Sequence, residues 1–361
     1  MLRNFVITFA VAVAMISACI AAPCADTVVS AAQEGAFTMT PVVLRGDPRS
    51  GGGTFFDCDA CDMRIASEHG LNDLGEVVIF GFAGNCGSGV YVVSGRTGFP
   101  IVDACHPSPF GRLALFIGAN INNQGQVALN MGPAVNNTIV DMILLYSDGQ
   151  LSKIVADGDP SPTGKVFGNC GFSLPSINNQ GEIAFSACFQ DDQGGFAGDG
   201  VFVSSEGTLR KIAVGLDPSP VGGKFAFALV PPPRVSMNDN GDVLFMAGQI
   251  DPDITAPGRF GLFLVTADGI KKIELSRDTM PNGSRAADNS IGLGSLNNKG
   301  DVIFSLRLSG KPKSGMFLYS GGQLSTIILD RGPTPIGRTF DRRSEIDDPT
   351  NKVNDNPPLG L

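Results

Sequence analysis

Four aspartates, Asp47, Asp159, Asp217 and Asp278, stand at the head of similar loops, with His106 in the equivalent region of the unit after Asp47. Carboxylates repeated along a scaffold could accept hydrogen bonds from a sugar or a peptide, and a pair could act as general acid and base. Asp before Pro also simply begins a turn, so these five residues are ligand-binding candidates, not assigned catalysts. The chain offers little else for chemistry. His69 and His106 are its only imidazoles, and Trp is absent. It has no Gly-x-Ser-x-Gly elbow, no His-Glu-x-x-His and no phosphate loop. Asn238-Asp239-Asn240-Gly241-Asp242 has a faint likeness to an acidic calcium loop, but the other copies of that turn lack its carboxylates. The sequence implies no metal and no cofactor. The missing catalytic constellation favours a non-enzymatic protein.

The elements that must position these residues are periodic. Two of the loops read Asp159-Pro160-Ser161-Pro162-Thr163-Gly164, leading to Phe167, and Asp217-Pro218-Ser219-Pro220-Val221-Gly222, leading to Phe225. Weaker copies begin at Asp47, His106, Asp278 and Gly332. Between them lies an apolar residue followed by Asn-x-x-Gly, with the asparagine at Asn72, Asn122, Asn178, Asn238 and Asn297. After each Gly comes a β-branched or aromatic stretch such as Asp242-Val243-Leu244-Phe245, which suits a pleated sheet. A further strand follows, for example Gly261-Leu262-Phe263-Leu264, then a tight turn such as Ala267-Asp268-Gly269, then Ile270-Lys271-Lys272-Ile273. Asp-Gly between apolar runs marks a hairpin because Gly takes positive φ freely.

Each unit therefore predicts four antiparallel strands, and a four-stranded unit of ~55 residues repeated about six times predicts an all-β, six-bladed β-propeller. The ends should complete the ring. Thr27 to Arg45 supply two extra strands, and the segment ending Val353-Asn354-Asp355-Asn356 supplies a strand that keeps the period, so the last blade is shared by N- and C-terminal strands. Pro357-Pro358 then stand where Gly and the next strand belong, which weakens that closure.

The first residues read as an address. Phe5 to Ile16 form an apolar run too short to span a bilayer, which takes ~20 residues. Residues 1–25 are expected to be a signal peptide and 26–361 a single propeller domain, secreted or held in the periplasm or cell envelope. The alternative is that Ile16-Ser17-Ala18-Cys19 acts as a lipobox, with Cys19 acylated as a lipid anchor. No second long apolar run follows, so no transmembrane segment is expected. An oxidising compartment permits disulfides. Residues facing each other about the Asn72–Gly75 and Asn178–Gly181 turns predict Cys61–Cys86 and Cys170–Cys188, leaving Cys58–Cys105. The alternative for Cys58 and Cys61 is a redox or metal Cys-x-x-Cys.

Composition limits the partners. With 26 Lys and Arg against 35 Asp and Glu, and a formal net charge of −9, the chain has no basic excess to hold nucleic acid. An apolar content of 43 % can bury a core, which excludes general disorder.

The repeated apolar-Asn-x-x-Gly-x-(Val/Ile)-x-Phe, followed by Gly-(Val/Leu/Met)-Phe-(Val/Leu), resembles uncharacterised secreted bacterial tandem-repeat proteins. It is similar, more loosely, to propeller repeats in which Asp-x-x-Gly joins the first two strands. That resemblance implies the fold and carries over no functional residue. The expected function is binding of an unknown protein or glycan through the Pro-loop face. The alternatives are an extracellular propeller hydrolase or lyase acting on polysaccharide, and an envelope-attached structural lipoprotein.

Overall fold

Each Asn-x-x-Gly turn folds into the same hydrogen-bonded link between two strands. In the computed structural model, the Gly N–H of each turn returns to the Asn carbonyl, and the Asn N–H bonds the carbonyl four residues on, as in Gly125 to Asn122 and Asn122 to Gln126. The five turn glycines, Gly75, Gly125, Gly181, Gly241 and Gly300, have φ between 73° and 79°, a region open to Gly at no steric cost. The structure describes residues 41–44, 46–50, 52–55, 64–65, 70–82, 86–135, 138–227, 233–250, 258–292 and 294–333. Apart from Pro41 these lie in the compact unit Val42–Leu361. The expected signal peptide, Cys19, Cys58, Cys61, His69 and the terminal strand before Asn356 lie outside the described residues.

Every regular element among them is a β-strand, and the strands form five consecutive antiparallel sheets. The first sheet holds β1 (Arg64–Ile65), β2 (Val77–Phe82), β3 (Ser88–Ser94) and β4 (Thr97–Val102). The second holds β5 (Arg112–Ile121), β6 (Val127–Val135), β7 (Thr138–Ile139), β8 (Met142–Ser147) and β9 (Gln150–Ala156). The third holds β10 (Val166–Phe172), β11 (Ser176–Ile177), β12 (Ile183–Gln190), β13 (Phe196–Ser205) and β14 (Thr208–Val214). The fourth holds β15 (Lys224–Ala226), β16 (Val235–Met237), β17 (Val243–Ile250), β18 (Arg259–Thr266) and β19 (Gly269–Leu275). The fifth holds β20 (Arg285–Ile291), β21 (Ser295–Leu296), β22 (Val302–Ser309), β23 (Ser314–Ser320) and β24 (Gln323–Leu329). No helix of the described residues is long and apolar enough to cross a membrane.

Four strands per unit was the expectation, and only the first sheet has four. In the last three sheets the leading strand is broken in two, so that β10 and β11 both pair with β12. The second sheet instead gains the short β7 beside β6. β10 slips register against β12 between Phe167 and Phe172, in a stretch containing Gly168 and Gly171, both at positive φ.

Consecutive sheets pack face to face. One buried cluster joins Val78 and Val90 of the first sheet to Leu129 and Leu144 of the second. Others join Ile143 to Phe185, Val203 to Phe245, and Leu264 to Phe304. In the first, third and fourth sheets the phenylalanine that closes the Pro loop is an anchor. Phe55, Phe167 and Phe225 are fully buried and meet Tyr91, Phe202 and Phe263 edge to face, each pair at 5.1 Å between ring centroids. Such edge contacts add about 0.5–1.5 kcal/mol beyond burial.

Two disulfides lie among the described residues, Cys170–Cys188 and Cys86–Cys105. The second corrects the expected Cys61–Cys86 and Cys58–Cys105. Constant facing sums require an unbroken hairpin, and the strand preceding Asn72 does not provide one: Leu71 faces Val77, yet Ile65 faces Ile79. Cys86 instead sits at the open end of the β3–β4 hairpin, where Val90 faces Val102 and the Ala104 N–H bonds the Cys86 carbonyl. That places the Cys86 and Cys105 Cα atoms 5.2 Å apart, within bridging range.

Candidate functional site

The Pro-loop aspartates share one local architecture. In each, one carboxylate oxygen accepts the backbone N–H three residues earlier: Leu44 for Asp47, Ala156 for Asp159, Val214 for Asp217 and Leu275 for Asp278. In three of them a lysine six residues earlier holds the carboxylate: Lys153 at 2.9 Å, Lys211 at 3.0 Å and Lys272 at 2.6 Å. Asp47 takes Arg96 instead, and Asp278 takes Arg259 as well. Each carboxylate is thus committed to the turn it begins.

His106 belongs to a denser arrangement. Asp103, at the end of β4, has a fully buried side chain and gathers five donors. Arg49 Nη1 reaches it at 2.8 Å, the Tyr91 hydroxyl at 2.9 Å, the His106 and Cys105 backbone N–H groups at 2.7 and 2.9 Å, and His106 Nδ1 lies at 3.0 Å. The Cys86–Cys105 bridge pins the loop beside it, and Arg49 Nη2 touches Cys86 Sγ at 3.1 Å. Burial works against the charged form of Asp103, but the donors from His106 and Tyr91 outweigh it and hold its pKa below the usual carboxylate range. Burial and the bond to Asp103 push the Tyr91 phenol up, so it stays a donor. Cys86 and Cys105 share this corner with Asp103, but their sulfurs are spent on each other and offer no thiolate to a metal. The imidazole is half exposed and is oriented by a fixed carboxylate. Sequence reasoning found His106 and missed Asp103, Arg49 and Tyr91, because they become neighbours only through the fold.

Buried carboxylates recur at the loop-side ends of the later sheets. Burial pushes Asp141 up to about 6, with the Phe172 N–H opposing and the charge of Asp157 adding to the rise. Burial raises Asp157 too, and takes Asp199 to about 6. Glu274, with no exposed surface and no hydrogen-bond partner for either oxygen, is pushed up to about 8 by burial and by the charge of Asp278. At the opposite strand ends, a cleft of about 360 Å³ lies among the turns of the fourth and fifth sheets, with Asp242, Asp268, Lys271, Lys299 and Tyr319 on its walls.

A family model matches residues 121–356, starting at the apolar residue before Asn122 and spanning the four turns from Asn122 to Asn297. The chain belongs to DUF7453, a family of unknown function. The matched DUF7453 region includes Asp141, Asp157, Asp199 and Glu274; the Asp103–His106 corner precedes it. No curated protein matches the chain. Among solved structures, the β-propeller domain of the trilobed protease from Pyrococcus furiosus aligns at 9 % identity and a TM-score of 0.32, over 60 % of this chain and 72 % of that one. The polysaccharide lyase Uly1 aligns at 10 % identity and 0.34, over 64 % of this chain and 52 % of that one. The endo-arabinase from Bacteroides thetaiotaomicron aligns at 11 % identity and 0.31, over 74 % and 98 %. Likeness at this level carries no argument about this DUF7453 chain.

Proposed function

We propose that this chain is a secreted or envelope-located binding module built as a β-propeller, with five blades from the described sheets and a sixth from the terminal strands. The disulfides fit an extracellular or envelope protein. The face-to-face packing of consecutive sheets supports the blade reading. The binding surface is the end carrying the Pro loops and the second-to-third-strand connections. One observation carries this assignment. At that end four consecutive sheets each present a large exposed apolar side chain: Phe82, Ile139, Phe196 and Ile250, at 37 %, 51 %, 53 % and 44 % exposure. Leu216 and Val221 of a Pro loop are exposed beside them in sequence. Apolar side chains on variable loops over a rigid scaffold suit a partner surface, whereas the loop aspartates serve the loops.

The experiment is site-specific photo-cross-linking in the organism's own envelope. A cross-linker placed at Phe196 or Ile250 should capture one partner, and one at Leu74, exposed on an Asn-x-x-Gly turn, should not. Capture only from Leu74, or equal capture from all three, overturns the assignment of this end.

A second reading, an extracellular hydrolase or lyase acting on polysaccharide, is favoured by the Asp103–His106 pair. A carboxylate on Nδ1 leaves the other ring nitrogen to act as a base. Reducing-sugar release from a polysaccharide panel, abolished by His106→Ala, would establish it. Lipid attachment at Cys19 would add an anchor to either reading, and the mass of the mature N-terminal peptide decides it.

A further inference from the structure

Two rails of hydrogen bonds join the sheets at the Asn-x-x-Gly turns, and both stop at the fifth sheet. In the first rail, Asn72, Asn122, Asn178 and Asn238 each donate a side-chain amide hydrogen to the main-chain carbonyl of the next turn asparagine, 50, 56, 60 and 59 residues on. In the second, the following residue sends its N–H to a side-chain oxygen of the next turn: Asp73 to Asn123, Asn123 to Asn179, Asn179 to Asp239 and Asp239 to Asn298. At the last turn Asn297 Nδ2 holds Asp301 Oδ2 at 3.0 Å. Among the described residues, nothing takes its second hydrogen or the Asn298 N–H. At the first turn the Asn72 carbonyl takes the Gly75 N–H, and Asp73 Oδ2 takes Asn123 Nδ2. No described residue gives that carbonyl a side-chain amide or donates to Asp73 Oδ1. The four asparagines that have a following turn are buried, and Asn297 is only half-buried.

The two ends are complementary: one has two donors to place and the other has two acceptors. A link must offer a main-chain carbonyl and an amide side chain on one residue, then an N–H and a side-chain oxygen on the next. Beyond the fifth sheet the chain has three asparagines, Asn351, Asn354 and Asn356. Lys352 follows the first and has no side-chain oxygen, and Pro357 follows the third and has no N–H. Of the three, only Asn354-Asp355 meets every requirement. Val353 precedes it, as an apolar residue precedes every other turn asparagine. The lengths agree as well. Asn354 lies 57 residues after Asn297 and 21 after Pro333, where Asn178 and Asn238 lie 18 and 20 after Pro160 and Pro218. The DUF7453 match runs to residue 356 and includes this segment.

We propose that Asn354 and Asp355 dock between the Asn297 and Asn72 turns and close both rails into rings. The proposal rests on the reading of a sixth blade built from the terminal strands. The Asn354 carbonyl accepts from Asn297 Nδ2, and Asp355 Oδ1 accepts the Asn298 N–H. On the other side Asn354 Nδ2 donates to the Asn72 carbonyl, and the Asp355 N–H donates to Asp73 Oδ1. This joint is weaker than the others. Pro357 and Pro358 bring no N–H to hold the Asn354 turn together, and Asp355 sets a second carboxylate beside Asp73.

Hydrogen exchange of the full secreted chain, read on peptides by mass spectrometry, tests the closure. The double variant Asn354→Ala, Asp355→Ala should speed exchange about tenfold at both the Asn72 and the Asn297 turns and leave the Asn178 turn unchanged. Asp355→Asn keeps the acceptor and removes the like charge, so it should exchange no faster than the unaltered chain. A change at only one of the two turns, or an equal rise at the Asn178 turn, overturns the closure. Val353→Asp separates this result from the blade reading, because it spoils a packed strand and leaves the rail groups in place. If Val353→Asp speeds exchange in β22 to β24 and the double variant changes nothing, the terminal strand packs without closing the rails. If neither variant changes anything, the sixth blade falls too.

Discussion

The side-chain amide of Asn122 donates to the main-chain carbonyl of Asn178, 2.9 Å away and 56 residues further along the chain. The same link runs from Asn72 to Asn122, from Asn178 to Asn238 and from Asn238 to Asn297. Within its own turn, Asn122 Oδ1 takes the N–H groups of Gln124 and Gln126, and its second amide hydrogen goes to Gln126 Oε1. Each of these asparagines spends its full hydrogen-bonding capacity, three bonds on closing its own turn and one on the neighbouring sheet. A parallel rail runs through the next residue: the Asn123 N–H bonds Asn179 Oδ1, and the Asn179 N–H bonds Asp239 Oδ1.

Because Asn122 is buried and its partners would be left unmet, Asn122→Ala should cost about 2–4 kcal/mol. Asn123→Ala, at the more exposed rail, should cost under about 1 kcal/mol. Urea unfolding of the two variants checks the contrast, and equal losses would mean that the inter-sheet link contributes little.

Peptide mapping under non-reducing conditions should recover Cys86 joined to Cys105. Replacing both with Ser should lower stability by about 3 kcal/mol, as expected for a bridge of this sequence separation. Recovery of a Cys61–Cys86 peptide would restore the simple hairpin register for the first unit.

Glu274 should make stability fall with rising pH. Its carboxyl titrates near 4.5 when unfolded and near 8 when folded, so the folded state holds the proton more tightly. Stability is full below about pH 4.5, declines as pH rises toward 8, and levels off above that. At the equivalent place the second and third sheets carry Val155 and Ala213, both buried in the core. Glu274→Gln should remove roughly 3 kcal/mol of that decline, measured from denaturation midpoints at pH 5 and pH 8. An unchanged slope would assign the decline to other groups.

The Pro loops should depend on their phenylalanines more than on their aspartates. Asp159→Asn keeps an acceptor for the Ala156 N–H and loses a solvent-exposed ion pair, so it should cost under about 1 kcal/mol and leave partner cross-linking unchanged. Phe167→Ala opens a fully buried site between rings and should cost about 3–5 kcal/mol. Thermal unfolding of both variants separates loop scaffolding from ligand contact.

The strand periods, the recurring turns and the sheet order were all legible in the residues, because alternation and glycine conformational freedom are local properties. The anchoring phenylalanines were legible for the same reason: each follows its Pro loop at a constant distance. What the local pattern could not carry is anything decided between units. Whether Cys86 bonds Cys61 or Cys105 depends on a break in the leading strand that shifts the register. Asp103 draws Arg49, Tyr91 and His106 together from separate loops and strands, and no spacing rule announces that meeting. The same holds for Asp157, which looks like an ordinary turn residue until packing buries its carboxyl beside Asp141. Short-range chemistry wrote the sheets. Stacking one sheet on the next, which removes polar groups from water and leaves some without partners, decided where chemistry can occur.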